Sequence, residues 1–466
     1  MKQVLMANEM AAAYRLNRRK LMKGSTAVAV AAASAGLIPS VMRPGHFVKA
    51  QATLNVLAPQ WPQGPKEQAL AAETFTPESG IAVTFEAVNY ATLEQRVKLL
   101  VEGQSADYDI YDYDSQWLGG FVAAGALERI DTDQFLNNPD TTIQMDLFFP
   151  EITSRLVRYP NNEADPSEDA PVYGVPWSLN AEALWWRNDL MDAAPATWEE
   201  LRAKAQELTN DSMFGYAVQG GRDADWIISE TNPIFWGNGG ELWDQATYIA
   251  QGILNSDANK ESLQFFVDMN LVDGSIDPAS ANWTINERLG ALLTGKAAMC
   301  LNWAPLFGGV ADDESQSQVV GQIGYAPSPA GSVTTAAMIG CQGTGINALS
   351  EQKDAAWQYM EWWQSVDTQT AMVGDVPSGF VSARTDLQSI ATNPWQTVFF
   401  EMLPSLRDMW NIPEYAQLLQ ILQTELNLAY VGQKSPADAL DDAALAQQVV
   451  LDGSPDNPAK ATPVAS

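Results

Sequence analysis

An α/β protein is predicted from three features of the chain beyond residue 50. Short β-rich runs alternate with longer helical ones, the alternation restarts after a break rich in Pro and acid, and no later segment is apolar enough to span a bilayer. At roughly 150 residues per domain, 466 residues suffice for two large lobes and an export segment. Strands are expected over 54–58, 81–85 and 108–111, with helices over 66–75, 93–101 and 117–124 between and after them. This βαβαβ order predicts a parallel sheet with helices on its faces. After the break at 161–171 a strand is expected over 181–186, and Thr197-Trp198-Glu199-Glu200 has the form of a capping box that starts a helix. Further helices are expected over 260–269, 285–293, 353–363 and 415–430. Buried strands are expected over 297–301 and 336–339, and a flexible tail rich in Pro, Ala, Asp and Ser over 452–466.

The first fifty residues stand apart. Lys2, Arg15, Arg18, Arg19, Lys20, Lys23, Arg43 and Lys49 face Glu9 alone, whereas the whole chain has 57 Asp+Glu against 26 Lys+Arg and a net charge of −31. Arg18 and Arg19, followed by Leu21 and Lys23, resemble a twin-arginine (Tat) export signal. The Ala/Val/Gly-rich run 24–38 is too short to span a bilayer comfortably and reads as its apolar region. Val48-Lys49-Ala50 supplies a small-x-small cleavage site, so the mature chain is expected to start at Gln51 in a periplasmic or extracellular space; a retained anchor is the alternative. The only histidine, His46, falls in this segment, so the mature chain is expected to have neither a Ser-His-Asp nor a Cys-His nucleophile and no His-based zinc site. No metal or cofactor is expected. The acidity disfavours nucleic acid and anionic membranes as partners. Cys300 and Cys341 leave two alternatives open, a disulfide or two buried thiols.

In open parallel sheets ligands bind beyond the carboxyl ends of the strands. The first strand here runs into Pro59-Gln60-Trp61-Pro62 and the third into Asp112-Tyr113-Asp114-Ser115-Gln116-Trp117. Gly174-Val175-Pro176-Trp177 and Asn302-Trp303-Ala304-Pro305 repeat that chemistry in the second half. All 16 Trp lie beyond residue 50. Flat aromatic faces beside carboxylates and amides suit a ligand with apolar C–H faces and many hydroxyls, which is a sugar. Trp185, Trp186, Trp357, Trp362 and Trp363 fall within elements and read as core, whereas Trp61, Trp117, Trp177 and Trp303 follow strand ends and are weighed evenly between site and core.

Several segments, in order, resemble extracellular solute-binding proteins, family 1. They are 108–131 (YDIYDYDSQWLGGFVAAGALERID), 173–190 (YGVPWSLNAEALWWRNDL), 196–201 (ATWEEL), 236–242 (WGNGGEL), 293–299 (LTGKAAM) with Asn302-Trp303, 345–348 (GINA) and 432–440 (GQKSPADAL). The resemblance covers nearly all of 54–450. It implies a two-lobed periplasmic-binding-protein fold of the maltose-binding type (type II) with chain crossovers between the lobes. It also implies capture of a carbohydrate by lobe closure and delivery to the permease subunits of an ABC importer. The implied lobes are 51–165 and 339–385 for the first, 166–338 and 386–451 for the second. The implied cleft takes in Trp61, Asp114, Trp117, Trp177, Trp236, Trp303, the turn containing Gly379, and Trp410. A monomer is expected. The family's turn often holds an arginine where Pro377-Ser378-Gly379-Phe380 stands here, Arg384 coming only later. The implied crossing over 339–345 brings Cys341 close to a hinge.

A secreted glycoside hydrolase is the main alternative, since it too needs Trp platforms and carboxylates. Asp112 and Asp114 would be about 6.6 Å apart at Cα on a strand. That separation overlaps the range of catalytic pairs, but such a pair flanks the scissile bond rather than lying along one wall. A surface adhesin or scaffold would need repeats, and none is found.

Overall fold

The computed structural model describes residues 52–161 and 169–460; the expected export segment with its cleavage point after Ala50 lies outside them. The chain opens with strand β1 (Ala52–Pro59), whose Leu54, Val56 and Leu57 are fully buried. Helix α1 (Gly64–Leu70) follows, extended by turns over Ala71–Phe75 and Thr76–Ser79, and then strand β2 (Ile81–Val88). Asn89 caps helix α2 (Tyr90–Glu102) by accepting from the Ala91 amide, and the helix buries Leu93, Val97 and Val101, spaced four apart on one face. Strand β3 (Ile110–Asp114), helix α3 (Leu118–Ala124), helix α4 (Pro150–Val157) and strand β4 (Val175–Ser178) complete this pass.

The second half-structure begins at strand β5 (Ala181–Arg187). Helix α5 (Trp198–Leu208) starts as its capping box predicts: Thr197 Oγ1 accepts from the Glu200 amide at 3.2 Å, while the Glu200 carboxylate takes the Ala196 amide at 2.8 Å rather than that of Thr197 itself. Strand β6 (Phe214–Ala217), helices α6 (Trp226–Gly237), α7 (Asp257–Leu271) and α8 (Ile285–Leu293), and strands β7 (Ala297–Ala304) and β8 (Ile323–Ala326) follow. A short strand β9 (Ala337–Met338) precedes strand β10 (Gln342–Ile346), helix α9 (Lys353–Trp363) and helix α10 (Val366–Val373). Helix α11 (Pro394–Met402), strand β11 (Leu406–Arg407) and helices α12 (Tyr415–Tyr430) and α13 (Pro436–Gly453) end the fold.

Two sheets define two lobes. The first has the order β2-β1-β3-β10-β4, parallel through β2, β1 and β3, with β10 antiparallel to both its neighbours. The second has the order β6-β7-β5-β8, and β9 pairs with β11 between them. The expected βαβαβ unit is therefore present, but its sheet is completed by two strands distant in sequence. Because β4 belongs to the first sheet, the chain changes lobe at Leu179–Asn180, later than the boundary at residue 166 implied by the resemblance. The return runs alongside. Gly340 N donates to Asn180 O at 2.9 Å, Ala181 bridges Ile339, and Cys341 Sγ lies 3.4 Å from both Asn180 N and Asn180 O. Cys300 and Cys341 are both free and buried. The tail expected to be flexible from residue 452 is packed at its start: Ser454 and Asn457 are buried, and Asn457 Nδ2 donates to Leu451 O at 3.0 Å.

Each lobe buries an acidic cluster. In the second, the Arg288 guanidinium bonds Glu182 at 2.8 Å and Glu230 at 2.7 Å, all three fully buried, and burial pushes both carboxyls up against the pull of the arginine. In the first, Glu67 accepts from Tyr359 Oη and from Trp177 Nε1 at 3.0 Å. Burial pushes Glu67 up to about 7, and burial together with Glu67 pushes Asp112 well above the carboxylate range. Between pH 4.5, where Glu67 ionises in the unfolded chain, and pH 7 the unfolded state releases a proton that the folded state keeps. Stability is therefore full below that window and falls as pH rises through it. The melting temperature is expected to drop by several degrees from pH 5 to pH 8, and Glu67→Gln to flatten the drop whatever its absolute stability. A variant curve parallel to the wild type would contradict this assignment.

Candidate functional site

The carboxyl ends of β1, β2 and β3 open onto one cleft. From the first lobe Trp61 follows β1, Tyr90 begins α2 just past β2, and Asp114 and Gln116 follow β3; Gln342 joins them at the start of β10. From the second lobe come Asp225 and Trp226 at the start of α6, Ile285 at the start of α8, and Trp303 and Leu306 at the end of β7. The two hinge residues Asn180 and Gly340 form part of the floor. Gly340 is required there, since a Cβ would come within 2.5 Å of the Trp303 ring.

The walls touch. The Tyr90 ring centroid is 5.3 Å from that of Trp61 and 5.9 Å from that of Trp226 across the cleft, and Trp61 meets Phe307 edge-on at 5.9 Å. The free volume at the floor is about 20 Å³, room for a water and too little for a sugar ring. Outside it a mouth of about 500 Å³ shares Trp61, Tyr90, Trp226 and Ile285 with the floor and adds Gln60, Asn89, Asp223, Asn286 and Glu287. The lobes are thus closed on their own side chains.

The polar groups at the floor are buried and incompletely paired. Asp114 accepts from the Ser115 amide at 2.9 Å and from Gln342 Nε2 at 3.1 Å. Burial, and next the facing Asp225, push its carboxyl well above the usual range. Burial lifts Asp225 to about 6 although Arg288 behind it draws it down. Trp61 Nε1, Asp225 Oδ1 and Gln342 Oε1 are buried with no hydrogen-bond partner among the described residues, a condition native interiors seldom leave uncompensated. Behind the second wall, Asn302 Oδ1 accepts from Arg288 Nη2 at 3.3 Å and from the Trp303 amide at 2.9 Å, so the buried acid–arginine cluster fixes the strand that carries Trp303.

Of the residues expected in the cleft, Trp61, Asp114 and Trp303 line it. Trp117 is one layer back, its ring 5.0 Å from that of Tyr90. Gly379 adopts a left-handed φ of 57° under the Pro305 and Leu306 carbonyls, where a Cβ would come within 2.6 Å of both oxygens, so it shapes the loop carrying Leu306 without lining the cavity. Trp177 is a correction: it stacks on Trp363 inside the first lobe, where the buried Glu67 takes its N–H. Trp236 is another, packed under the Arg407 guanidinium, 5.1 Å from its ring centroid, in a separate cavity of about 660 Å³. Trp410 is fully buried in the core and lines neither the floor nor the mouth. Tyr90, Asp225, Trp226 and Gln342 also line the cleft, and the sequence reading does not single them out. The loop Gly220-Gly221-Arg222-Asp223-Ala224-Asp225-Trp226 carried a signal for two of them, glycines followed by acids and an aromatic at a helix start.

Two sheet-centred lobes joined by paired crossovers, with aromatic and polar walls facing across the hinge, define a two-lobed solute-binding protein. A sequence profile described as bacterial extracellular solute-binding protein matches residues 58–370, and the chain belongs to that family. Among curated relatives, a probable amino-acid ABC transporter periplasmic-binding protein of Sinorhizobium fredii is 24% identical over 388 residues, covering 80% of this chain and 84% of its own. Among solved structures, an ABC transporter solute-binding protein of Agrobacterium radiobacter in complex with ribitol superposes with a TM-score of 0.73 at 25% identity, covering 86% of this chain and 99% of its own. One from Thermotoga lettingae bound with α-D-tagatose gives 0.75 at 19% identity, covering 86% and 100%.

Truncating the cleft aromatics should separate site from core. Trp303→Ala and Trp226→Ala are each expected to weaken ligand binding by about 2 kcal/mol or more, as central anchors do. Trp177→Ala should cost about 3 kcal/mol or more of folding stability while leaving affinity within about 0.5 kcal/mol. Calorimetric titration and thermal melts of the three variants check this. Unchanged affinity in Trp303→Ala would displace the site.

Proposed function

We propose that this chain is the extracytoplasmic receptor of an ABC importer and that it captures a sugar or polyol between its lobes. The observation that carries the reading is the closed cleft, with Trp61 and Tyr90 on one wall, Trp226 and Trp303 on the other, and buried, unpartnered hydrogen-bonding atoms at its floor. Such walls match the C–H faces of a pyranose or an alditol chain, and Asp114, Gln342, Asp225 and Trp61 Nε1 match its hydroxyls. The ribitol and tagatose held by the two solved relatives agree with this class. An amino acid, the solute in the curated relative's name, fits less well, because among the described residues no Lys or Arg lines floor or mouth to receive its carboxylate.

Capture follows from the hinge. With so little free volume at the floor, a ligand enters only when the lobes part about the two adjacent crossovers. On reclosure it replaces the aromatic contacts between the walls and satisfies the unpaired atoms. Contacts available only in the closed form shift the population towards it. No bond is broken in this scheme. The signal read in the first fifty residues agrees with work outside the cytoplasm, and a monomer suffices, since both walls come from one chain.

One observation favours a second reading, hydrolysis of a glycoside: Asp114 and Asp225 come from opposite walls and would flank a bound sugar. Tryptophan fluorescence and calorimetric titration of residues 51–466 against mono-, di- and oligosaccharides, polyols and their amino derivatives, with product analysis, decide between them. Stoichiometric binding at micromolar or tighter affinity with the ligand recovered intact is expected. Consumption of the sugar would put the hydrolase first, and silence across the panel would refute both.

A further inference from the structure

The floor of the cleft holds two acids that a neutral sugar leaves without a counter-charge. Asp114 and Asp225, each 3% exposed, face it from opposite lobes. Asp223 and Glu287 line the mouth, and Asp408 is near enough to act on Asp114. Among the described residues no Lys, Arg or His lines either space. The nearest cation acting on Asp225, Arg288, is held between Glu182 and Glu230, so that cluster has one more acid than base.

Two buried acceptors at the floor are left free. Gln342 spends its amide N–H groups on Asp114 Oδ2 at 3.1 Å and on Gly340 O, which leaves its Oε1 unpartnered. Gln116 Oε1 accepts from Ser115 Oγ at 3.1 Å, its amide donates to Tyr90 Oη at 3.1 Å, and Asp225 Oδ1 is unpartnered. Asp225 Oδ1 and Gln342 Oε1 are unpartnered acceptors and Trp61 Nε1 an unpartnered donor, and the Asn180 amide beside them spends only its Oδ1, on the Leu306 amide at 3.4 Å. Aromatic faces surround the same space, and such faces attract a cation. Closing around a neutral ligand leaves two buried acids without a counter-charge, a cost that shows in their raised carboxyls. An ammonium group between them removes it and supplies three donors.

We infer that the ligand is a polyhydroxylated cation, a sugar or polyol bearing a protonated amine, with the ammonium held between Asp114 and Asp225 and the hydroxylated remainder between the tryptophans. This rests on the receptor reading above and narrows its ligand class.

Matched pairs test it: glucose against glucosamine, and glucitol against 1-amino-1-deoxyglucitol, with tetramethylammonium as a cation without hydroxyls. Each is titrated calorimetrically into residues 51–466 at neutral pH. The amino member of a pair is expected to bind at least about tenfold more tightly than its neutral partner, with the advantage shrinking at high salt. Asp225→Asn is expected to bring the ratio of amino to neutral affinity close to one. Equal or tighter binding of the neutral members to the wild type overturns the charge inference and leaves the receptor reading standing, even if no variant folds. Binding of tetramethylammonium alone keeps the charge and overturns the sugar class. Binding of none overturns both.

Discussion

Two stretches of backbone, Leu179–Asn180 and Ile339–Cys341, run side by side between the sheets, and the architecture depends on that contact. The bond from Gly340 N to Asn180 O at 2.9 Å and the bridge from Ala181 to Ile339 tie the outgoing and returning chains together. Because β4 and β10 finish the first sheet while β5 enters the second, the strand ends of both lobes are aimed at one cleft. Asn180 and Gly340 belong at once to the hinge and to the cavity floor. Trp303 lies over Gly340, in space that no other residue would leave. A ligand at the floor therefore touches the backbone about which the lobes turn, which is a direct physical route from binding to closure.

Closure is a balance between opposing terms. Tyr90 packing against Trp226, and Trp61 against Phe307, hold the walls together across the cleft. Against this stand the buried Asp114 and Asp225, whose carboxyls burial pushes up, that of Asp114 also under the influence of Asp225. An aromatic surface that can close on itself keeps the empty site from exposing a large apolar patch. Paired buried acids make the same closure incomplete without a partner. The cluster of Arg288, Glu182 and Glu230 anchors the strand that carries Trp303 through Asn302.

Much of the fold was legible because its signals are local. The helices Ile285–Leu293, Lys353–Trp363 and Tyr415–Tyr430 have the bounds that apolar spacing and flanking residues predict. Trp185, Trp357 and Trp363 are buried as their positions inside elements imply. Trp61, Asp114 and Trp303, expected in the cleft because they follow strand ends, do line it. The same rule misplaced Trp177, because β4 turns that side chain into the lobe, where the buried Glu67 claims its N–H. Tyr90 was passed over because no motif marks the end of β2. Asp225 and Trp226 were passed over because β6 has only four residues, one of them Gly215, pressed so close to Ala205 that no Cβ fits. Pairing distant strands into one sheet, which moved the lobe boundary from residue 166 to Leu179–Asn180, leaves no trace in local periodicity.

The central claim is that solute binding and lobe closure are one event at the floor of this cleft. Spin labels at Thr92→Cys, exposed next to the mouth residue Ala91, and at Asn286→Cys on the facing lobe read it directly through their distance distribution. Cys300 and Cys341 are buried and should not take label. The account predicts a distribution that narrows and shortens on addition of ligand and saturates at the concentration that saturates calorimetric binding, with the ligand recovered intact. A distribution unchanged at saturating ligand would contradict it.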